Sequence, residues 1–264
     1  MCADPRASAA RFYDLQRAPF GGKDIPFYVS LLPSPSADVL ELGCGTGRVL
    51  LPLAAHCRFI RGIDNSESML AICRSKLLSR GVPETKAAVG PGDIGGFALG
   101  RKFDFIFAAF RVLQNLEEDS QVDGLFRCIG GHLAEGGSCV LNVFRPFAEE
   151  AELRRIWAEK REESVEWDVP AGAGRLIRSS RVRRVHPEKF VFYPTLIDRY
   201  YEGGRLVEES VADIAMRCYT PDGFLRLIES HGFRIRRKWG GYDGEEYGVG
   251  PELVVQFESG SGGR

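Results

Sequence analysis

None of this chain's apolar runs approaches the ~20 consecutive residues that a bilayer-spanning helix needs. The opening residues, MCADPRASAARFYD, carry no apolar core of the kind a secretory signal requires, so none is expected. An excess of one charge is also missing. Lys and Arg number 35 against 36 Asp and Glu, for a net charge of −1. That balance argues against nucleic acid or an anionic membrane as the main partner. Metal ligands are sparse: the four histidines form no H-x-x-x-H pair and the seven cysteines form no C-x-x-C. No metal site is therefore expected. An odd number of scattered cysteines reads as free thiols in a reducing compartment, and so as a cytoplasmic protein.

What the chain does have is a glycine turn. Residues 39–54 read VLELGCGTGRVLLPLA. An apolar run ends at Glu41, glycines follow at 43, 45 and 47, and an apolar helical pattern begins. Glycine tolerates positive φ and carries no Cβ, so a ligand can approach the backbone there. The start of the following helix, read as 46–56, would offer free N–H groups to an anion. A dinucleotide turn is G-x-G-x-x-G. Here the third glycine comes one residue early, and Arg48 stands where that pattern wants glycine.

Around the turn, strand and helix alternate. Strands are predicted at 38–43, 58–64, near 86–89, at 103–110 and at 138–144. Helices are predicted at 66–80 and 119–134, with a charged helix at 147–161. FDFIFAAF (103–110) is apolar on both faces, as in the middle of a parallel sheet. The pattern predicts an α/β fold, a doubly wound, mostly parallel seven-stranded sheet with a reversed last strand. Residues 1–37 read as a helical cover. The segment 161–216 breaks the alternation with three long extended stretches (175–185, 190–201, 206–216) joined by hairpin turns, an inserted antiparallel three-stranded β unit. The main domain is then 38–160 and 217–258, with Thr220 capping a helix to Gly232 and the last two strands at 233–239 and 252–258. The tail 259–264 reads as disordered.

Asp64 ends the second strand, 21 residues after Gly43, where a carboxylate can accept hydrogen bonds from a ribose diol. Asn65 and Met69 lie beside it, Met69 able to pack on a purine. Asp93 follows the third strand in G-D-I, with Ile94 as an apolar wall.

Glu41, the E-x-G-x-G-x-G string and the downstream acid together resemble motif I of class I S-adenosylmethionine-dependent methyltransferases. From FYDL (12–15) through GGYDGEEY (240–247) the chain is similar to a broad small-molecule group that includes the deoxyaminosugar N,N-dimethyltransferases. The resemblance implies S-adenosylmethionine as cofactor, with no metal. The implied cofactor residues are Tyr13, Glu41, Gly43, Cys44, Gly45, Gly47, Asp64, Asn65, Met69, Asp93, Ile94 and Ala108. Tyr13 would be the N-terminal aromatic that closes over the cofactor, and Asp93 would meet the adenine amine. FAAFRVLQNL (107–116) should border the transferred methyl, with Phe110, Arg111 and Asn115 nearest. Tyr193, Tyr200, Arg217, Tyr219 and Tyr242 are candidates for the substrate pocket.

The aminosugar enzymes often place a histidine after the fourth strand; the aligned residue here is Asn115. A neutral amine needs no strong base in methyl transfer, whereas a hydroxyl does. The reading is methyl transfer to a small-molecule acceptor, tilted toward N- over O-methylation, by a monomer or homodimer. Two alternatives stand beside it: an RNA or protein-tail methyltransferase that grips its substrate with the arginine-rich insertion, and a non-catalytic cofactor-binding regulator.

Overall fold

The computed structural model describes residues 7–14, 19–186 and 188–260. Residues 1–6 and 15–18 of the expected cover, and 261–264 of the expected tail, lie outside the described residues. Two short helices, α1 (Ala7–Tyr13) and α2 (Asp24–Ser30), precede the first strand.

The main sheet is built from alternating elements. In chain order they are β1 (Asp38–Leu42), α3 (Leu50–Leu53), β2 (Phe59–Asp64), α4 (Glu67–Ser79), β3 (Ala87–Pro91), β4 (Phe103–Ala108), α5 (Asp119–His132) and β5 (Leu133–Phe144). Then come α6 (Glu150–Glu159), a second sheet, α7 (Pro221–Ser230), β11 (Phe233–Trp239) and β12 (Glu252–Ser259). Seven strands pair in the order β11-β12-β5-β4-β1-β2-β3. β1 to β5 run parallel, and β12 runs antiparallel to both neighbours. The reversed last strand expected from the sequence is there.

Side-chain alternation explains why both faces are covered. Leu40, Leu42 and Ile106 point into one core with α5 and α7, where Leu125, Phe126, Ile129 and Phe224 are buried. Val39, Phe105 and Phe107 point to the opposite core, with Tyr28, Leu50, Leu53 and Leu70. A period of two along each strand sends neighbours to opposite faces. Near-continuous apolar runs are the sequence trace of that double burial.

The second sheet holds β6 (Ser164–Ala171), β7 (Gly174–Val185), β8 (Val191–Glu202), β9 (Arg205–Asp213) and β10 (Met216–Arg217), all antiparallel. It therefore has five strands where the sequence suggested three. β9 and β10 lie along one edge of β8 in a single register, Thr195 opposite Asp213 and Phe192 opposite Met216. They are the expected third stretch, broken at Ile214–Ala215. β6 is new. SVEWDVPA forms the other edge, exposed over most of its length, and contains a proline. An edge strand needs no buried face, so it leaves little apolar alternation to read.

Two other expectations are corrected. The first helix is one turn long rather than 46–56, because Gly47 takes a φ of 82° and stays in the preceding turn. Ser259 is not part of a loose tail; it closes β12 opposite Phe233.

Candidate cofactor and acceptor cavity

The glycine turn is held by its own backbone. The N–H groups of Gly43 and Cys44 both donate to the Ile63 carbonyl, at 2.8 and 3.0 Å, and the Gly47 N–H donates to Cys44 O at 2.9 Å. Gly45 N–H donates to Asp64 Oδ2 at 2.8 Å, and Ser66 N–H to Asp64 Oδ1 at 2.9 Å. Asp64 thus locks the tip of β2 to the turn while staying 4 % exposed. These amides are spent inside the protein, and the helix after them is one turn. An anion site on a long helix start, as expected from the sequence, is not what the turn provides. It provides close approach instead. All three glycines have positive φ; a Cβ at Gly43 would lie 2.7 Å from Val112, whereas the space above Gly45 is open.

α1 and α2 close one side. Asp14 accepts from Thr46 Oγ1 at 2.8 Å and pairs with Lys76 at 2.6 Å. Arg48 forks onto the fully buried Asp24 at 3.0 and 2.5 Å. Glu41 is buried beneath the turn with Oε2 unpartnered. Burial pushes its carboxyl well above the usual range, against a smaller downward pull from Arg48.

After β4 the backbone is strained. Phe110 and Arg111 have φ of 60° and 65°, a left-handed conformation costing about 1–2 kcal/mol per non-glycine residue. Arg111 N–H donates to Asn142 Oδ1 at 3.0 Å, and its Nε donates to Glu252 at 3.1 Å. Asn142 Nδ2 also donates to Glu252, at 2.9 Å. Glu252 has no exposure and, chiefly through burial, a raised pKa. Gln114, equally buried, donates to the Arg217 carbonyl at 2.7 Å and accepts from Phe144 N–H at 2.8 Å.

These pieces surround a cavity of about 210 Å³. Its lining on the main-sheet side includes Tyr13, Gly43, Gly45, Asp64, Met69, Phe110, Arg111 and Asn115, all singled out in the sequence. Ala109 and Val112 join them, and the second sheet supplies Glu166, Arg178, Leu196, Ala212, Ile214 and Met216. The insertion residues were not legible. Leu196, Ala212 and Ile214 follow strand alternation, but no sequence rule tells which face of an inserted sheet meets the main domain.

The remaining candidates sit elsewhere. Cys44 points into the core toward Cys73, and a Cβ at Gly62 would lie 2.7 Å from its Sγ. Glu41, Gly47 and the buried Ala108 lie behind the lining, and Asn65 is exposed at the tip of β2. Asp93 is exposed and accepts from Gly95 N–H at 2.8 Å, a turn-forming role, and Ile94 packs against the core.

None of the five substrate candidates lines the cavity, and each has a structural commitment instead. Tyr193 donates to Glu117, its hydroxyl pushed up to about 12 by burial and that bond. Tyr200 packs on Phe12 with ring centroids 5.9 Å apart. Arg217 pairs with Asp119 at 2.5 Å. Tyr219 is buried against Phe224. Tyr242, delivered by the glycine-rich 240–250 loop, packs edge-on or tilted among Phe20, Phe27 and Tyr28.

The residues present suit an adenosyl ligand. The glycine turn leaves open space, Met69 offers a flat apolar contact and Asp64 keeps lone pairs for hydroxyl donors. No group of three or more His, Cys, Asp or Glu able to hold a metal occurs among the described residues. No described helix is long and apolar enough to cross a membrane.

Comparison with known proteins adds to this geometry. Residues 39–137 match the methyltransferase domain family. Over 145 residues the chain is 27 % identical to the dTDP-3-amino-3,6-dideoxy-alpha-D-glucopyranose N,N-dimethyltransferase of Streptomyces fradiae, covering 53 % of this chain and 54 % of that protein. The chain thus spans about half the length of that curated relative. Among solved structures, an S-adenosylmethionine-dependent methyltransferase from Clostridium acetobutylicum superposes with a TM-score of 0.77 at 17 % identity, covering 96 % of this chain and 98 % of that one. The CcbJ methyltransferase of Streptomyces caelestis gives 0.76 at 21 % identity, covering 98 % of each. At these identities the likeness is one of fold.

Proposed function

We propose that this chain, which carries a methyltransferase domain on the class I, Rossmann-like fold, transfers a methyl group from S-adenosylmethionine to an amino nitrogen of a small molecule. One observation carries the reading: a single cavity joins the E-x-G-x-G-x-G turn and Asp64 to the inner face of the inserted sheet. Donor and acceptor would therefore share one enclosed space. The N,N-dimethyltransferase activity in the name of the Streptomyces fradiae relative supports an amine acceptor.

The bound cofactor supplies an activated methyl carbon on a sulfonium. The protein's work is then placement, which in favourable intramolecular cases contributes up to ~7–11 kcal/mol of the barrier. Asp64 would hold the ribose hydroxyls and Met69 the adenine. Tyr13 and α1 exclude water from one side. The Phe110–Arg111 turn, anchored through Glu252 and Asn142, fixes the wall between cofactor and acceptor. No general base stands at Asn115, which suits a nucleophile that arrives as the neutral amine.

Asp64→Ala and Gly45→Val test the donor half. Calorimetric titration with S-adenosylmethionine should show at least about tenfold weaker binding in each, the loss of one to two good hydrogen bonds or of the open approach. Far-UV circular dichroism should stay native. Unchanged affinity in both variants would remove the basis of the reading, as would wild-type protein that binds the cofactor but releases no S-adenosylhomocysteine with any amine.

A further inference from the structure

Four charged side chains line the cavity: Asp64, Arg111, Glu166 and Arg178. Three are already answered by the protein. Asp64 accepts from two backbone amides, Arg111 is paired with Glu252, and Arg178 forks onto the buried Asp198 at 2.7 and 2.6 Å. Glu166 makes no hydrogen bond or ion pair among the described residues. Its position is also distinctive. The register of β6 against β7 shifts between Val165, opposite Ser179, and Trp167, opposite Arg178. Glu166 is the extra residue of that bulge. A bulge re-aims the side chain it carries, and bulges recur beside binding sites. Glu166 is exposed, and besides the neutralised Arg178 the insertion lines the cavity with apolar side chains: Leu196, Ala212, Ile214 and Met216.

We propose that Glu166 is the acceptor-recognition residue of this cavity, and that it selects a primary or secondary amine carried on a neutral or apolar body. The inference rests on the methyltransferase reading above and specifies its acceptor half. An amine N–H donates to a carboxylate while the nitrogen lone pair stays free. In the transfer that lone pair forms the new N–C bond, the pair of the S–C bond stays with sulfur, and the nitrogen turns cationic until it releases a proton to solvent. A carboxylate beside that nitrogen is favoured more as its charge grows, which is where an interaction accelerates a reaction. A hydroxyl acceptor gains less from the same neighbour. An anionic group placed there would be repelled, because Arg178 is already neutralised by Asp198.

The test uses the 264-residue chain holding S-adenosylhomocysteine. The probes are aminocyclohexanols and aminodeoxyhexoses, each paired with its all-hydroxyl counterpart. Calorimetry should show wild type preferring at least one amine to its hydroxyl partner by about tenfold or more, the scale of one charge-assisted hydrogen bond. Glu166→Gln should abolish that preference, and Glu166→Asp should keep part of it. With S-adenosylmethionine and the same amine, Glu166→Gln should lower kcat/KM by about 10- to 100-fold. Cofactor affinity and Tm should not change in either variant. A preference that survives Glu166→Gln, or its absence in wild type, overturns the role of Glu166. Failure of the methyltransferase reading would show separately, as wild type that does not bind the cofactor.

Discussion

Glu41 illustrates how much a single side chain in the glycine turn is constrained. Its carboxyl is buried with one oxygen unpartnered, and burial raises its pKa well above the ordinary 4.5. The folded state therefore holds this proton more tightly than the unfolded chain. Stability from that difference is full below the ordinary value and is lost as pH rises through the raised one. Glu41→Gln removes the penalty. In thermal melts of the cofactor-free protein, the variant should exceed wild type at about pH 8 by roughly 2–4 °C, the shift per kcal/mol for a chain of this size. The gap should close as pH falls toward about 4.5. An identical pH dependence in the two proteins would mean that Glu41 is not the titrating group. Glu252 makes a complementary case. Glu252→Ala strands Arg111 and Asn142 and frees a strained turn. Breaking a buried pair costs about 3–5 kcal/mol, and because Arg111 is 33 % exposed the lower end applies. Urea unfolding reads that loss directly. Residues of this kind divide by legibility. Gly45, Asp64 and Met69 were readable because a local motif fixes their distance along the chain. Glu166 was not, because its place depends on a bulge in pairing with a strand eight or more residues away.

Elements were readable where their ends are chemically marked. Thr220 accepts from Gly223 N–H at 3.1 Å and Pro221 follows it, as the sequence indicates. Thr220→Ala should cost about 1 kcal/mol in chemical denaturation, and a smaller effect would show that tertiary packing of Phe224 and Ile228 dominates α7. Ser66 likewise caps α4 through Met69 N–H at 3.2 Å. Where marks are missing, expectation drifted. α3 is cut to Leu50–Leu53 by Gly47 in front, and β6 hides because an edge strand carries charge and proline without cost. The substrate candidates fall outside the cavity lining for a related reason. Aromatic residues in an extended segment announce burial but not what they are buried against. Tyr193, Tyr200, Tyr219 and Tyr242 pack within the protein itself.

At the scale of the whole molecule, the pairing of charges bears on the partner class and can be tested through salt. The arginine-rich insertion looked like a basic surface. In the structure its cations are largely matched: Arg175 with Asp168, Arg178 with Asp198, Arg199 with Glu163 and Glu209, Lys189 with Glu118. Arg183 and Arg184 have looser partners, at 3.5 and 3.8 Å, and Arg181 makes no ion pair among the described residues. Methylation of an amine probe should therefore change KM less than about threefold between 50 and 200 mM salt, whereas a protein making 6–10 phosphate contacts loses about 10³–10⁵ in affinity over that range. A steep salt dependence would favour the nucleic-acid alternative. The mostly parallel seven-stranded sheet with its reversed last strand was foreseeable from the alternation of strand and helix. How the second sheet sits over the first was not, since that geometry lives in contacts between segments far apart in sequence.

Gln114 touches both stems of that second sheet, accepting from Phe144 where the chain departs and donating to Arg217 where it comes back. A long excursion that leaves and returns at one amide behaves like a cassette with a common clasp. Further ties run from the insertion to the rest of the chain, through Lys189 and Glu118, Tyr193 and Glu117, and Tyr200 and Phe12. A chimera that swaps residues 145–216 at those junctions would carry a different second wall on the cavity. One contiguous segment thereby sets the second wall of the cavity, over a sheet built from the rest of the chain.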